Sequence, residues 1–182
     1  MSLNMEGRIL FNAERFGWTI ERLCQELVEN YGDFTDTCLV GVQTGGVPLA
    51  ERMHQRLLEL TGVAHIEHGA LDITFYRDDF RTKQSPLKAA TTRMNFIVEA
   101  KNVILIDDVL YTGRTTQAAL TALQHYGRPR RVELLTLVDR RYQRHLPVQP
   151  DYIGMQVDSL DKSHVKVEWA EADGADRVLL IG

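Results

Sequence analysis

The sequence predicts an α/β domain with a mostly parallel central sheet flanked by helices, and two stretches of the chain carry that prediction. In the first, the apolar run Val103, Ile104, Leu105 and Ile106 is cut off by two adjacent carboxylates, Asp107 and Asp108. A Thr112-Gly113 turn follows, and then Ala118, Ala119, Leu120 and Leu123 recur among polar residues with helical spacing. Such a run reads as a strand buried on both faces, and the helix as the return across the sheet. In the second stretch, the apolar run 38–42 leads into Thr44-Gly45-Gly46, followed by a helical pattern with Leu49, Ala50, Met53, Leu57 and Leu60 inward. Pro48 sits in the first turn of that helix, where its missing N–H costs little. The strand–loop–helix theme therefore occurs twice, and in one sheet both loops open at the same edge. With 182 residues, 44% of them hydrophobic, the chain fits a single compact domain over 1–182.

The remaining elements follow in order. Ile9, Leu10 and Phe11 form a short strand or arm, and Phe16, Ile20, Leu23, Cys24, Leu27, Val28 and Tyr31 mark a helix with one core-facing side, closed by Gly32 and Asp33. Leu71, Ile73 and Phe75 alternate with Asp72, Thr74 and Tyr76, the period of a half-buried strand. The chain then turns polar and rich in Lys, Arg, Thr and Ser to residue 93, either a solvated loop or a mobile lid. Residues 132–138 form another apolar strand that ends at Asp139, Arg140 and Arg141. Val165, Val167 and Trp169 alternate with His164, Lys166 and Glu168, and 177–181 is a last short strand; both suit edge additions. Residues 171–176 are expected to be a solvated acidic turn.

Composition excludes several classes of function. A net charge of −4 gives no sign of a protein that wraps nucleic acid through bulk charge, although local basic runs leave room for RNA contacts. Cys24 and Cys38 lie in apolar patterns without metal-ligand spacing, which suits buried thiols in a reducing cytoplasm. The six histidines show no clustered ligand spacing, so a zinc site is not expected. No apolar span approaches the length of a membrane crossing.

The acid pair and the turn after it have a specific use. Around Thr112 and Gly113 the backbone can aim several N–H groups at one anion, and the following helix adds its unsatisfied N-terminal donors. Thr112, Thr115 and Thr116 can give hydroxyls to the same oxygens. Asp107 and Asp108 would repel that anion; they suit the hydroxyls of a sugar attached to it, with a divalent cation offsetting their charge. A phosphorylated sugar fits, whereas the glycine spacing matches neither the dinucleotide fingerprint nor the nucleoside-triphosphate loop. The bland alternative is an ordinary strand–turn–helix with a polar loop.

Residues 103–115 resemble the signature of type I phosphoribosyltransferases, whose loop holds phosphoribosyl pyrophosphate (PRPP). Together with Asp72-Ile73-Thr74-Phe75-Tyr76-Arg77-Asp78-Asp79, the segment from Asp107 to Thr115 is similar to the bifunctional bacterial pyrimidine operon regulators that also have uracil phosphoribosyltransferase activity. The similarity extends over about residues 9–157. It implies the type I phosphoribosyltransferase fold, with a mobile lid at about 79–93 and a small hood made by the N-terminal arm and about 139–182. It also implies the reaction of uracil with PRPP to give UMP and pyrophosphate, aided by Mg2+ held at Asp107 and Asp108 directly or through water. By the same resemblance Asp107, Asp108 and Arg77 are catalytic, with Asp107 the nearest candidate to take the uracil proton. PRPP or UMP would be held by Thr44, Gly45, Gly46, Asp107, Asp108, Val109, Leu110, Tyr111, Thr112, Gly113, Arg114, Thr115 and Thr116. Arg77, Asp78 and Arg81 would serve the pyrophosphate and the lid, and Val138, Asp139, Tyr152 and Ile153 the nucleobase, with core packing the other reading of Tyr152.

Such regulators bind a leader mRNA hairpin in a UMP- or UTP-dependent way and promote transcription termination; here Arg22, Arg140, Arg141, Arg144 and His145 are the candidate RNA contacts. A cytoplasmic homodimer, or a tetramer, is implied as well. Two departures stand out: Gly45 replaces a usual basic residue of the pyrophosphate loop, and Asp158 and Asp161 enter a segment that is usually threonine-, serine- and lysine-rich. An enzyme or nucleotide sensor with lost RNA recognition, a purine or xanthine phosphoribosyltransferase, a regulator with negligible catalysis and a pure assembly surface stay open as alternatives.

Overall fold

A computed structural model describes residues 7–78, 91–158 and 163–182. Its main sheet has five parallel strands in the order β3-β2-β4-β5-β6: β2 (Thr37–Val42), β3 (Glu67–Leu71), β4 (Asn102–Leu110), β5 (Arg131–Arg141) and β6 (Tyr152–Asp158). Helices α1 (Ala13–Tyr31) and α2 (Gly46–Thr61) lie on one face and α3 (Arg114–Leu123) on the other. Alternation along the strands divides the core accordingly. Leu39, Ile104, Ile106, Leu135 and Leu137 pack with α1 and α2, whereas Cys38, Val40, Val42, Val103, Leu105 and Leu134 pack with α3. Each fully buried Leu, Ile or Phe contributes about 1.5–3 kcal/mol, so the two-sided burial of β2 and β4 makes the centre of the sheet its firmest part.

A second sheet is antiparallel, in the order β1-β8-β7, from β1 (Arg8–Phe11), β7 (His164–Glu168) and β8 (Arg177–Ile181). Phe16 of α1 meets Trp169 edge-on, ring centroids 5.2 Å apart, which pins the end of β7 to the main body. Arg52 of α2 lies 5.1 Å from the same indole and forms ion pairs of 2.7 Å with both Glu171 and Asp176. The acidic stretch is therefore anchored, beginning with the short helix α4 (Ala170–Asp173), and is not a freely solvated turn. Asn12 caps α1 by accepting the Arg15 N–H at 2.9 Å, and Gly32 ends that helix at φ 58°.

Two further expectations need correction. The alternation over Leu71, Ile73 and Phe75 does not continue as a strand: β3 stops at Leu71, and residues Thr74–Tyr76 form one 3-10 turn with Phe75 exposed. The cause is Asp72, whose carboxylate accepts from the Thr74 N–H at 3.0 Å and hydroxyl at 2.6 Å, a local bond that competes with the ladder. The strand after Arg131 runs on to Arg141, and β6 pairs with it in parallel, so 139–158 extends the main sheet instead of building a hood. The small sheet draws only on β1, β7 and β8. Among the described residues no helix is long and apolar enough to cross a membrane.

Candidate active site

In an open parallel sheet the loops after the strands gather at the carboxyl edge, where ligands of such folds bind. Here the segments after β3 and β4 enclose a cavity of about 350 Å³ lined by Arg77, Asp78, Asp107 and residues 109–115, and the loop after β2 abuts it. The wall after β4 is the phosphate-loop candidate. Gly113 stands at φ 89° as the first residue before α3, a left-handed conformation that suits glycine, and the first N–H of the helix, from Arg114, donates to the Thr112 hydroxyl at 3.4 Å. That leaves the Thr115 and Thr116 N–H groups of the first turn for an anion in the cavity that Thr115 lines. Thr112 and Thr115 line it, while the Thr116 hydroxyl is buried without a hydrogen-bond partner among the described residues.

Asp107 is buried and Asp108 half-buried at the end of β4. Each carboxylate accepts the next backbone N–H, Asp107 from Asp108 at 3.0 Å and Asp108 from Val109 at 2.8 Å. Burial first, then the charge of Asp108, pushes Asp107 well above the usual carboxylate range, with Arg77 pulling back. Burial also raises Asp108, opposed by the Val109 N–H and, more weakly, by the charge of His164 from the small sheet. Two carboxylates held this way attract whatever brings positive charge or hydroxyl donors into the cavity. Among the described residues no group of three His, Cys, Asp or Glu could hold a metal ion. The pair does fit Mg2+, which keeps waters and is commonly bound through one or two carboxylates plus substrate phosphates.

The loop after β2 reaches the same acids. A side-chain carbon on Gly45 would overlap the Asp108 carboxylate, and one on Gly46 would overlap the Ile106 carbonyl oxygen. Gly46 is therefore required by close approach to backbone, whereas the crowding at Gly45 is against the end of the Asp108 side chain, which occupies the space that a longer residue at 45 would enter. The Gln43–Thr44 peptide is cis. Asp78 does not stand free at the cavity rim but pairs with Arg114, tying the segment after β3 to the start of α3. Asp79, Arg81 and most of the 79–93 lid lie outside the described residues. At its end, Arg93 exchanges backbone hydrogen bonds with Ala70 at 2.8 and 3.0 Å and pairs with Glu51.

Toward the nucleobase side the placement is mixed. Val138 is fully buried between Val109 and Met155, and Asp139 is buried in an ion pair with Arg144 at 2.5 Å. Ile153 is half-buried and lines a second cavity of about 680 Å³ with Tyr142, Arg144 and residues 145–150. Tyr152 is a packing residue: it opens β6 beside Leu135, two strands from β4 and its acid pair. Only 4% of it is exposed; its hydroxyl donates to Glu133 at 2.9 Å and accepts from Asn30 at 2.9 Å.

The basic run is likewise redistributed. Arg140 is buried, donating to the Ser163 carbonyl at 2.7 Å with its guanidinium 3.8 Å from the centre of the Tyr111 ring, so it cannot be a surface contact for RNA. Arg144 divides its guanidinium between Asp139 and the Tyr111 carbonyl. Arg141 is exposed but held bidentately by Asp158 at 2.6 and 2.8 Å, and Arg22 donates to the Ile153 and Gly154 carbonyls. His145 and Tyr142 join Arg141 in lining the second cavity. Sequence reasoning missed Thr136, whose hydroxyl spans the Asp108 and Val138 carbonyls at 3.3 and 3.1 Å, and the Arg140–Tyr111 stack. Both depend on partners that no local pattern announces.

Comparison with known proteins agrees with this geometry. The family profile described as phosphoribosyl transferase domain matches residues 8–172. A protein named bifunctional protein PyrR from a Picosynechococcus species is 45% identical over 174 residues, covering 94% of this chain and 96% of that protein. The protein of the same name from Desulfosudis oleivorans is 41% identical over 180 residues, 98% of each chain. Among solved structures, hypoxanthine phosphoribosyltransferases from Staphylococcus aureus (18% identity, TM-score 0.70, covering 100% of this chain and 98% of that one) and Trypanosoma cruzi (14%, 0.72, 100% and 94%) share the fold. The chain belongs to the phosphoribosyltransferase family and, within it, to the PyrR bifunctional proteins, the pyrimidine operon regulators that its paired motifs resemble.

Proposed function

We propose that the protein converts uracil and PRPP to UMP and pyrophosphate, and that it regulates pyrimidine genes by binding leader mRNA in a UMP- or UTP-dependent way. The observation that carries the enzymatic half is a single cavity lined by Asp107, whose carboxylate accepts the N–H of the adjacent Asp108, and by the Gly113 turn that leads into the N-terminus of α3. A 5-phosphate faces the amides and hydroxyls of residues 111–116. The ribose hydroxyls reach Asp107 and Asp108, and the pyrophosphate lies between Thr44-Gly45-Gly46 and Arg77.

In the reaction the uracil N1–C1 bond forms, the bond from C1 to the pyrophosphate oxygen breaks, and the N1 proton leaves. The demanding step is positive charge developing at C1, which the paired carboxylates stabilise electrostatically while Arg77 supports the departing pyrophosphate. Mg2+, when bound at Asp107 and Asp108, supplies charge neutralisation on the pyrophosphate. Asp107 is the nearest group to take the uracil proton, directly or through water.

A second reading, an enzyme or nucleotide sensor with altered RNA recognition, is favoured by one observation: Asp158 neutralises Arg141 on the face that would meet RNA. The working assembly in either reading is a homodimer or tetramer. The test is PRPP-dependent pyrophosphate release with uracil, hypoxanthine and xanthine in turn, run beside UMP-dependent binding of a pyrimidine leader hairpin. Release with uracil alone supports the assignment, and release only with a purine base overturns it. Hairpin binding that ignores UMP removes the regulatory half.

A further inference from the structure

The segment between β5 and β6 holds the phosphate loop from behind, and the geometry of that hold gives one of its arginines a task in the reaction. Arg144 donates to the Tyr111 carbonyl, and the Thr112 carbonyl accepts from the His145 N–H at 2.9 Å and the Leu146 N–H at 3.2 Å. Both peptides of the loop are trans, since the Gln43–Thr44 bond is the one cis peptide among the described residues. In a planar trans peptide the C=O and the following N–H point in opposite directions. Fixing the Tyr111 and Thr112 carbonyls toward residues 144–146 therefore turns the Thr112 and Gly113 N–H groups the other way, toward the cavity those residues line. Neither N–H has a backbone acceptor among the described residues.

We propose that Arg144 is a positioning residue for the 5-phosphate: it sets the peptide plane that presents the Thr112 amide to the phosphate. The inference rests on the reading of this cavity as a phosphoribosyl site. Two further observations support it. The guanidinium is itself oriented by Asp139, a buried carboxylate 2.5 Å away, so it is a fixed strut and not a mobile surface charge. Leu146 and Val148 also close on Gly113, within about 3.4 Å of where a side-chain carbon would stand, which leaves the loop little room to flip. Arg144 is thereby assigned a task in substrate binding.

The experiment measures ribose 5-phosphate binding to the full chain by titration calorimetry, and KM for PRPP and for uracil, in wild type, Arg144→Ala and Arg144→Lys. Arg144→Ala is expected to weaken ribose 5-phosphate binding roughly tenfold and to raise KM for PRPP by a similar factor, with KM for uracil within about twofold. A general packing defect would move both KM values. Lysine keeps the charge beside Asp139 but lacks the fork that reaches two acceptors, so it should show part of the same loss; it also carries the test if the alanine variant does not fold. Wild-type binding with both variants equal to it overturns the proposal and leaves the cavity assignment standing. Failure of the wild type itself to bind ribose 5-phosphate overturns the cavity assignment and the proposal together.

Discussion

Replacing both acids, Asp107→Asn with Asp108→Asn, should move activity and stability in opposite directions. Asparagine keeps the side-chain oxygens that accept the Asp108 and Val109 N–H groups at 3.0 and 2.8 Å, so the end of β4 has no reason to rearrange. What disappears is charge. Each charge-assisted hydrogen bond to a ribose hydroxyl or bound cation is worth about 1.5–3 kcal/mol, so losing two removes roughly 3–6 kcal/mol. At 1.36 kcal/mol per factor of ten, kcat/KM for PRPP should fall roughly 10²- to 10⁴-fold.

Stability should go the other way. The folded chain holds Asp107 well above its ordinary range through burial and the Asp108 charge, so the fold favours the protonated acid. As pH rises from the unfolded value near 4 through the raised folded one, the metal-free protein loses stability by ionising that acid, and the amide removes this loss. Calorimetry at pH 7.5 in a chelator should therefore give the double variant a melting temperature at or above that of wild type. Activity within about threefold of wild type, or a melting temperature well below it, would refute the assigned role of the pair.

Three other perturbations bear on neighbouring claims. Tyr152→Phe removes the hydroxyl shared with Glu133 and Asn30 and should cost about 1–2 kcal/mol in chemical denaturation, with KM for uracil unchanged; a raised KM would restore a base-stacking role. Gly46→Ala forces a methyl group into the Ile106 carbonyl and should lower both melting temperature and PRPP turnover, the structural cost being roughly 1–3 kcal/mol. Arg52→Met breaks the pairs with Glu171 and Asp176, and the Arg52 hydrogen bonds hold the Asp176 carboxyl below its usual value. The wild-type advantage should be constant above about pH 5 and shrink as pH falls below about 4, through the lowered folded value; an advantage that persists unchanged at pH 2.5 would assign it to the Phe16 and Trp169 rings instead.

What the sequence revealed and what it hid divides by range of interaction. The apolar run into Asp107 and Asp108, the Gly113 turn and the helical spacing after it are local signals, and they lead directly to β4, the loop and α3. The glycines at 45 and 46 were visible as a turn, but the reason for them is contact with Asp108 and Ile106, about sixty residues away. Alternation over Leu71, Ile73 and Phe75 misled because the Asp72 turn interrupts the ladder, and a period-two pattern carries no record of a side chain that bonds its own backbone. Tyr152 looked available to a base because nothing nearby in the chain shows that Glu133 and Asn30 take its hydroxyl.

The arginines show the same limit in its most consequential form. Read along the chain, Arg140, Arg141 and Arg144 form a basic run suited to RNA phosphates. In the fold each points elsewhere: to the Ser163 carbonyl and the Tyr111 ring, to Asp158, and to Asp139 with the Tyr111 carbonyl. A guanidinium already paired with a carboxylate adds little net positive field, and it is net positive charge that releases counterions from nucleic acid. Tyr142, 77% exposed beside the second cavity, offers instead an aromatic face of the kind on which an unpaired base stacks. Binding of a leader hairpin through this face should therefore depend more on stacking than on charge. Raising the salt concentration should weaken it less than the sequence run suggests, whereas Tyr142→Ala should weaken it by about 1–3 kcal/mol. A steep salt dependence that survives Tyr142→Ala would return the interface to the arginines and require their ion pairs to open when RNA binds.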